Sequence, residues 1–255
     1  MGALAGKTAL ITGALGDQGR TACRRFCEEG AAVVGTDITQ EGAAKFTDEL
    51  VSAGFDFEFH QADLGSSTQV DALANHVRIT RGHIDSVYNN AGVMMVKPIH
   101  ETTDEEWQRA IRVNLTAPFL VTRAFVPLMK GRTGASICNV SSIGGIRVYP
   151  TQMHYGVTKA ALLHLTKAAA YELAPDIRVN AICPGVIDTQ MAWSYVDASP
   201  DPAAAMESLK SNIPLGRMGD PADVINLGVW LAGDQASYVT GAVIIVDGGS
   251  TLAAK

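Results

Sequence analysis

Along nearly the whole chain, short runs rich in apolar and β-branched residues alternate with longer runs of helical periodicity, and the connections between them are short. Strands are predicted at Thr8–Thr12, Ala32–Thr36, Phe55–Gln61, Ile84–Asn89, Ala135–Ser141, Arg178–Cys183 and Val243–Val246. Helical patterns fall between them, at Gly19–Glu29, Glu41–Ala53, Ser67–Arg81, Asp104–Lys130, Gln152–Leu173 and Pro221–Ala232. A helix-length crossover joins parallel strands, so the expected fold is α/β: a doubly wound, Rossmann-type parallel sheet of about seven strands with helices on both faces. No repeat, low-complexity tract or linker divides residues 1–255, which read as one domain. Residues 190–212 break the alternation, with Pro200 and Pro202 inside them. A long irregular insertion of this kind is expected to be a substrate-binding lid.

Composition removes several classes of function. The chain has 255 residues, of which 47% are hydrophobic and 18% charged. That is a globular composition with enough chain to bury a large core. The net charge is −6 and lysine and arginine nowhere cluster, so neither nucleic acid nor an anionic membrane has a docking surface. The apolar run Ala160–Ala170 is interrupted by His164 and Lys167 and falls short of a membrane span. Met1–Leu10 lacks the apolar core of a targeting signal, and Gly6 stands where a myristoylation motif needs Ser or Thr. Cys23, Cys27, Cys138 and Cys183 form no CxxC, and the six histidines lack zinc-site spacing. The expectation is a cytoplasmic protein with free thiols and no metal.

The first strand runs into Thr12-Gly13-Ala14-Leu15-Gly16-Asp17-Gln18-Gly19 and then a helix. Glycines there permit a tight turn, close approach of a diphosphate to backbone N–H groups, and tight helix–strand packing. A helix N-terminus completes an anion site. Three glycines are also compatible with an ordinary strand–helix loop, but the strand–turn–helix context is what a dinucleotide site requires. Asp37 ends the second strand, about 20 residues further on, where an acid hydrogen-bonds the adenosine ribose of NAD. No Arg or Lys occupies Ala14–Gln18 or Ile38–Gln40 to receive a 2′-phosphate, so NAD is expected over NADP. Downstream, Tyr155 and Lys159 are one helical turn apart, on a shared face. A phenol is a poor base at neutral pH unless a nearby cation favours the phenolate, and Lys159 is placed to be that cation. The same pair also arises by chance on exposed helices.

Together, the glycine turn, Asp63-Leu64, Asn89-Asn90-Ala91-Gly92, Asn114, Ser142, Tyr155-xxx-Lys159, Pro184-Gly185-Val186-Ile187-Asp188-Thr189 and the tail Gly241–Gly249 resemble the short-chain dehydrogenase/reductase family over essentially the whole chain. The resemblance implies that Asp63 and Leu64 lie beside the adenine and that Asn90, Ala91 and Gly92 flank the cofactor ribose. Leu15 and Ile38 then line the site with the glycines and Asp37, while Pro184, Gly185, Ile187 and Thr189 face the nicotinamide. Ser142 orients the substrate oxygen, Tyr155 exchanges its proton, and Lys159 lowers the tyrosine pKa and binds the nicotinamide ribose. Asn114 holds a proton-conducting water through its carbonyl. An Asn at that place is equally a helix-kink residue, and Ser141 is a strand-end neighbour of Ser142.

One departure from the family pattern stands out. Its commonest form has glycine at the position of Asp17, next to the diphosphate. The carboxylate is therefore expected to turn outward, capping the helix that follows, and to weaken cofactor affinity. For the substrate, Met94, Met95, Val96, Ile143–Ile146, Tyr149, Met191, Trp193 and Tyr195 are the expected pocket residues, with Ser142, Gly144 and Tyr155 at the reacting end. This set is mostly apolar and without a basic clamp, although several members would also serve as core. It suggests an uncharged alicyclic or aromatic secondary alcohol or its ketone. The rivals are an NADPH-dependent reductase of 3-oxoacyl thioesters or other ketones, and a non-catalytic NAD-binding regulator. In the family, the helices predicted at Asp104–Lys130 and Gln152–Leu173 pair between subunits, giving a homotetramer; from sequence alone the same stripes serve a monomer's core.

Overall fold

The computed structural model describes residues 2–197 and 199–252, with the backbone alone for Tyr195. Seven strands, β1 (Thr8–Thr12), β2 (Ala32–Asp37), β3 (Phe57–Gln61), β4 (Ser86–Asn89), β5 (Ser136–Val140), β6 (Arg178–Pro184) and β7 (Val243–Val246), form one sheet in the order β3-β2-β1-β4-β5-β6-β7. Every pairing is parallel. Central strands are buried on both faces: all five residues of β1 and all five of β5 are buried, the polar Ser136 and Asn139 included.

Helices α1 (Asp17–Glu28), α2 (Ala43–Ser52) and α9 (Pro221–Ala232) cover one face, around Phe26, Phe46 and Val224. Helices α3 (Ser67–Thr80), α5 (Ala117–Met129) and α6 (Met153–Leu173) cover the other, around Leu73, Phe125 and Ala170. The chain reverses direction across the sheet between β1 and β4, so the loops leaving these two strands diverge. The crevice so opened at their carboxyl ends is where ligands of this fold class bind.

Two expected elements differ. The long helix predicted at Asp104–Lys130 is broken into α4 (Asp104–Ile111), a π-helical turn at Arg112–Thr116, and α5. Pro118 brings no N–H to the carbonyl of Asn114 four residues earlier, so an α-helical ladder cannot continue through that point. The buried side chain of Asn114 gains from the wider turn, because its Oδ1 accepts from Val93 N at 2.8 Å and its Nδ2 donates to Val93 O at 2.9 Å. The stretch 190–212, expected to be irregular, holds two helices instead, α7 (Gln190–Asp197) and α8 (Pro202–Ser211). Pro202 stands in the first turn of α8, where a missing N–H costs nothing, and Asp201 caps the helix by accepting from Ala204 N at 3.0 Å.

Candidate active site

Two joined cavities open along the carboxyl edge of the sheet. The larger, about 610 Å³, is walled by the glycine turn, the end of β2 and the loop after β4. Gly13, Leu15, Gly16, Asp17, Gln18 and Gly19 line it, as do Asp37, Ile38, Asp63, Leu64, Asn90, Ala91 and Gly92. Gly13 has φ +65°, and a Cβ there would sit 2.9 Å from Ala91 Cα, so the turn can pass this close to the β4 loop only as glycine. Helix α1 begins after Gly16 with no side-chain cap, which leaves first-turn N–H groups facing the cavity. Asp37 Oδ2 accepts from Leu15 N at 3.1 Å, holding an acid beside the turn. Uncapped amides for a diphosphate and a carboxylate for ribose hydroxyls fit a nicotinamide dinucleotide.

The smaller cavity, about 440 Å³, contains the predicted chemistry: Ser142, Tyr155 and Lys159 line it, with Pro184, Gly185 and Ile187 opposite. Gln18, Asn90, Gly92, Thr189 and Met191 belong to both cavities and mark their junction. Ser142 leaves β5 just before a 3-10 turn, and Gly144 N donates to its Oγ at 3.0 Å. Ser141 is placed differently: its Oγ donates to Lys159 O at 2.9 Å, a tie to the α6 backbone. Gly145 allows this loop to press on α6, since a Cβ there would lie 2.8 Å from Lys159 C.

Tyr155 is half-buried and lines the cavity. Burial pushes the phenol above its ordinary value, the Ser142 hydrogen bond pulls it down, and Cys183 adds a smaller upward push. Lys159 is 3% exposed, and burial lowers its ammonium from 10.5 to about 8. Its Nζ donates to Val140 O at 2.8 Å and sits 5.6 Å from the centre of the Tyr155 ring. Lys159 thus stands over the face of the Tyr155 ring. Asn114 is fully buried behind the junction and lines neither cavity. A Cβ on Gly92 would be 3.4 Å from both Asn114 Oδ1 and Lys159 Nζ, so the two are close neighbours.

The expected substrate residues divide. Met94, Ile143, Gly144, Tyr149 and Met191 line the smaller cavity. Met95 and Val96 face an adjoining shallow cleft. Trp193 lies outside the cavity because its Nε1 donates to Asp188 Oδ1 at 2.7 Å, which holds the indole on the outer side of α7. The side chain of Tyr195 is outside the described residues. Sequence reasoning missed Arg147, Ser208, Asn212 and Ser250 at the outer end of the cavity. Arg147 NH1 donates to Ser250 O at 2.9 Å, and so adds to the mostly apolar pocket a basic residue that the sequence reading did not place there. The five-residue separation of Arg147 from Ser142 was the available signal, but only the folded loop shows which way the guanidinium runs. Arg109 and Arg112 were also missed; both line the larger cavity.

Asp17 corrects a further expectation. It does not cap α1, in which it is the first residue; its Oδ2 accepts from Gln190 N at 2.6 Å.

A pocket lined by Ser142, Tyr155 and Lys159 that shares a wall with a dinucleotide cleft defines the protein as a nicotinamide-dependent oxidoreductase. Residues 13–251 match the family model described as Enoyl-(Acyl carrier protein) reductase. The chain is 40% identical to Oxidoreductase UcpA of Escherichia coli O157:H7 over 99% of its own length and 97% of that protein's. It is 40% identical to 3beta-hydroxysteroid dehydrogenase 1 of Eggerthella lenta, over 98% and 95% of the two chains. A crystal structure of a putative short-chain dehydrogenase/reductase from Burkholderia xenovorans superposes with a TM-score of 0.95 at 30% identity, covering 100% of both chains. The chain belongs to the short-chain dehydrogenase/reductase family.

Proposed function

We propose that the chain is an NAD-dependent oxidoreductase that interconverts a secondary alcohol and its ketone, built on an alicyclic or aromatic body. Residues 1–255 act as one NAD-binding and catalytic domain, with 190–212 as its lid. The observation that carries this reading is the placement of Ser142 and Tyr155 on a pocket that meets the dinucleotide cleft at Gln18, Gly92 and Thr189. A substrate oxygen at the two hydroxyls then lies beside the nicotinamide end of a bound cofactor.

The nicotinamide, when bound, supplies the hydride acceptor or donor. The remaining work belongs to side chains. Ser142 orients the substrate oxygen and stabilises charge developing on it. Tyr155 removes the hydroxyl proton in oxidation and returns it in reduction. Burial keeps Tyr155 protonated at rest, which suits the reductive direction; oxidation needs the phenol lowered, and the Lys159 ammonium and the positive nicotinamide of NAD⁺ are the two sources of that lowering. The Asn114 carbonyl, to which Pro118 brings no N–H, is available to a water leading from Lys159 to solvent. The body of the substrate is uncharged, in keeping with the mostly apolar inner wall, and Arg147 at the outer end can meet a polar group beyond it.

NAD is supported over NADP by Asp37, whose carboxylate would repel a 2′-phosphate. A second reading, an NADPH-dependent reductase of 3-oxoacyl thioesters or other ketones, draws on the 38% identity to the 3-oxoacyl-[acyl-carrier-protein] reductase FabG of Thermotoga maritima. Steady-state assays with NAD and NADP separately, on a panel of alicyclic and aromatic secondary alcohols and 3-oxoacyl thioesters, decide between them. Turnover confined to the thioesters with NADPH would transfer the assignment, and dinucleotide binding without turnover of anything would favour a regulator.

Its partners are then small-molecule substrates, with no nucleic acid or membrane, and its compartment the cytoplasm. Among the described residues no helix is long and apolar enough to cross a membrane. A homotetramer is supported by exposed Phe119 and Val157 on α5 and α6, and by exposed Ile245 on the edge strand β7. Two such faces, each used about a two-fold axis, generate D₂ symmetry. Gel filtration at the mass of one chain would overturn the tetramer.

A further inference from the structure

The acid that departs from the family pattern in the glycine turn has a partner 173 residues away. Asp17 opens α1, Gln190 opens α7, and the 2.6 Å hydrogen bond between them crosses the mouth of the larger cavity, which both residues line. A carboxylate on the first N–H of a helix is a charge-assisted contact reinforced by the helix dipole. The lid is therefore tied to the floor of the cofactor cleft. Thr189 and Met191, on either side of Gln190, extend into the substrate cavity, so whatever moves Gln190 reshapes both cavities.

The uncapped amides at the start of α1 are where the diphosphate of a dinucleotide is drawn. Asp17 belongs to that same first turn, and two anionic groups there repel each other. Among the described residues no cation lies within ion-pair distance of Asp17 to relieve the repulsion. We propose that Asp17 is a positioning residue that stands in for a phosphate. In the cofactor-free protein its carboxylate holds the start of α7 against the glycine turn, and the diphosphate of an incoming dinucleotide displaces it and takes over the N–H of Gln190. The inference rests on reading the larger cavity as a dinucleotide site.

Two substitutions separate the charge from the hydrogen bond: Asp17→Asn keeps an acceptor without the charge, and Asp17→Gly removes both. Cofactor-free wild type and both variants are titrated calorimetrically with NAD and with ADP-ribose, which carries the diphosphate without the nicotinamide. Amide exchange of residues 188–197 is followed in the same samples. Both variants are expected to bind both ligands about tenfold more tightly. The Gln190 amide should be protected in free wild type and Asp17→Asn and exposed in Asp17→Gly. ADP-ribose should restore its protection in Asp17→Gly. Unchanged ADP-ribose affinity in both variants overturns the displacement, and Gln190 exchange in free Asp17→Gly equal to wild type overturns the tie. Binding of neither ligand by any of the three proteins instead removes the dinucleotide reading itself and the displacement with it, while the exchange data on the free proteins still decide whether Asp17 holds the lid.

Discussion

The two cavities on the carboxyl edge of the sheet share a junction but differ in how their walls are held. Around the larger one, the walls are strand ends and the turns that leave them, and the sheet fixes their separation: Gly13 passes the loop after β4 at near-contact distance, and Asp37 is tied to the turn through Leu15. Around the smaller one, only the inner end has this support. There Ser142 follows β5 and Tyr155 and Lys159 project from α6. The outer end is assembled from the loop carrying Arg147, from α7 and α8, and from the turn at Ser250. Rigid placement serves a cofactor common to the family, whereas loosely tethered helices allow the substrate wall to vary without disturbing the sheet.

The largest effect should come where the two regions meet. Tyr155→Phe removes the hydroxyl proposed to exchange the substrate proton and should lower turnover by about 10³-fold or more. NAD affinity by calorimetry should stay within about twofold, a change of about 0.4 kcal/mol, because the ring and the cleft wall stay in place. An active variant would remove Tyr155 from the reaction.

Next in size is a pH effect on stability. Burial holds Lys159 at about 8 in the folded chain, against 10.5 in the open chain. Between these values the unfolded state binds the extra proton, so stability rises with pH across that window, and below about 8 the folded state carries a buried charge. Denaturant titrations of wild type against Lys159→Met should differ by up to roughly 3 kcal/mol between the two ends of the window. Identical pH profiles would mean the ammonium is well solvated.

The rigid wall is tested by Gly13→Ala. Its positive φ and its 2.9 Å approach to Ala91 should make this change cost about 2 kcal/mol of stability and weaken dinucleotide binding, with little effect on any substrate preference. Were Gly13→Ala neutral in thermal unfolding, the contrast between the two cavities would lose its main support.

Smallest, and confined to the outer wall, is Arg147→Met. It should raise KM about tenfold for substrates with a polar or anionic far end and leave small neutral alcohols and NAD binding unchanged. An equal rise for every substrate would show that Arg147 acts by holding the Ser250 turn rather than by meeting the substrate.

What the sequence determined was whatever local periodicity and backbone chemistry can encode. The seven strands, their parallel pairing and the glycine turn were legible because strand–helix alternation leaves no other connection and because turns demand glycine. All thirteen residues expected at the glycine turn, at the end of β2 and after β3 and β4 line the larger cavity, since each sits at or just past a strand end that the sheet brings to one edge. Tertiary structure alone decided the rest. The helix at Asp104–Lys130 looked continuous because a π turn leaves no mark in apolar spacing beyond a proline that α-helices also accept near their starts. Trp193 looked like a pocket residue until Asp188 held its indole outside, and Arg147 was invisible because a loop side chain's direction depends on Ser250, 103 residues later. Asp17 shows the limit most plainly: its sequence neighbours place it at an anion site, while the N–H it binds arrives from the far end of the chain. Contacts between residues that far apart follow from how the sheet closes distances, and no local pattern carries that information.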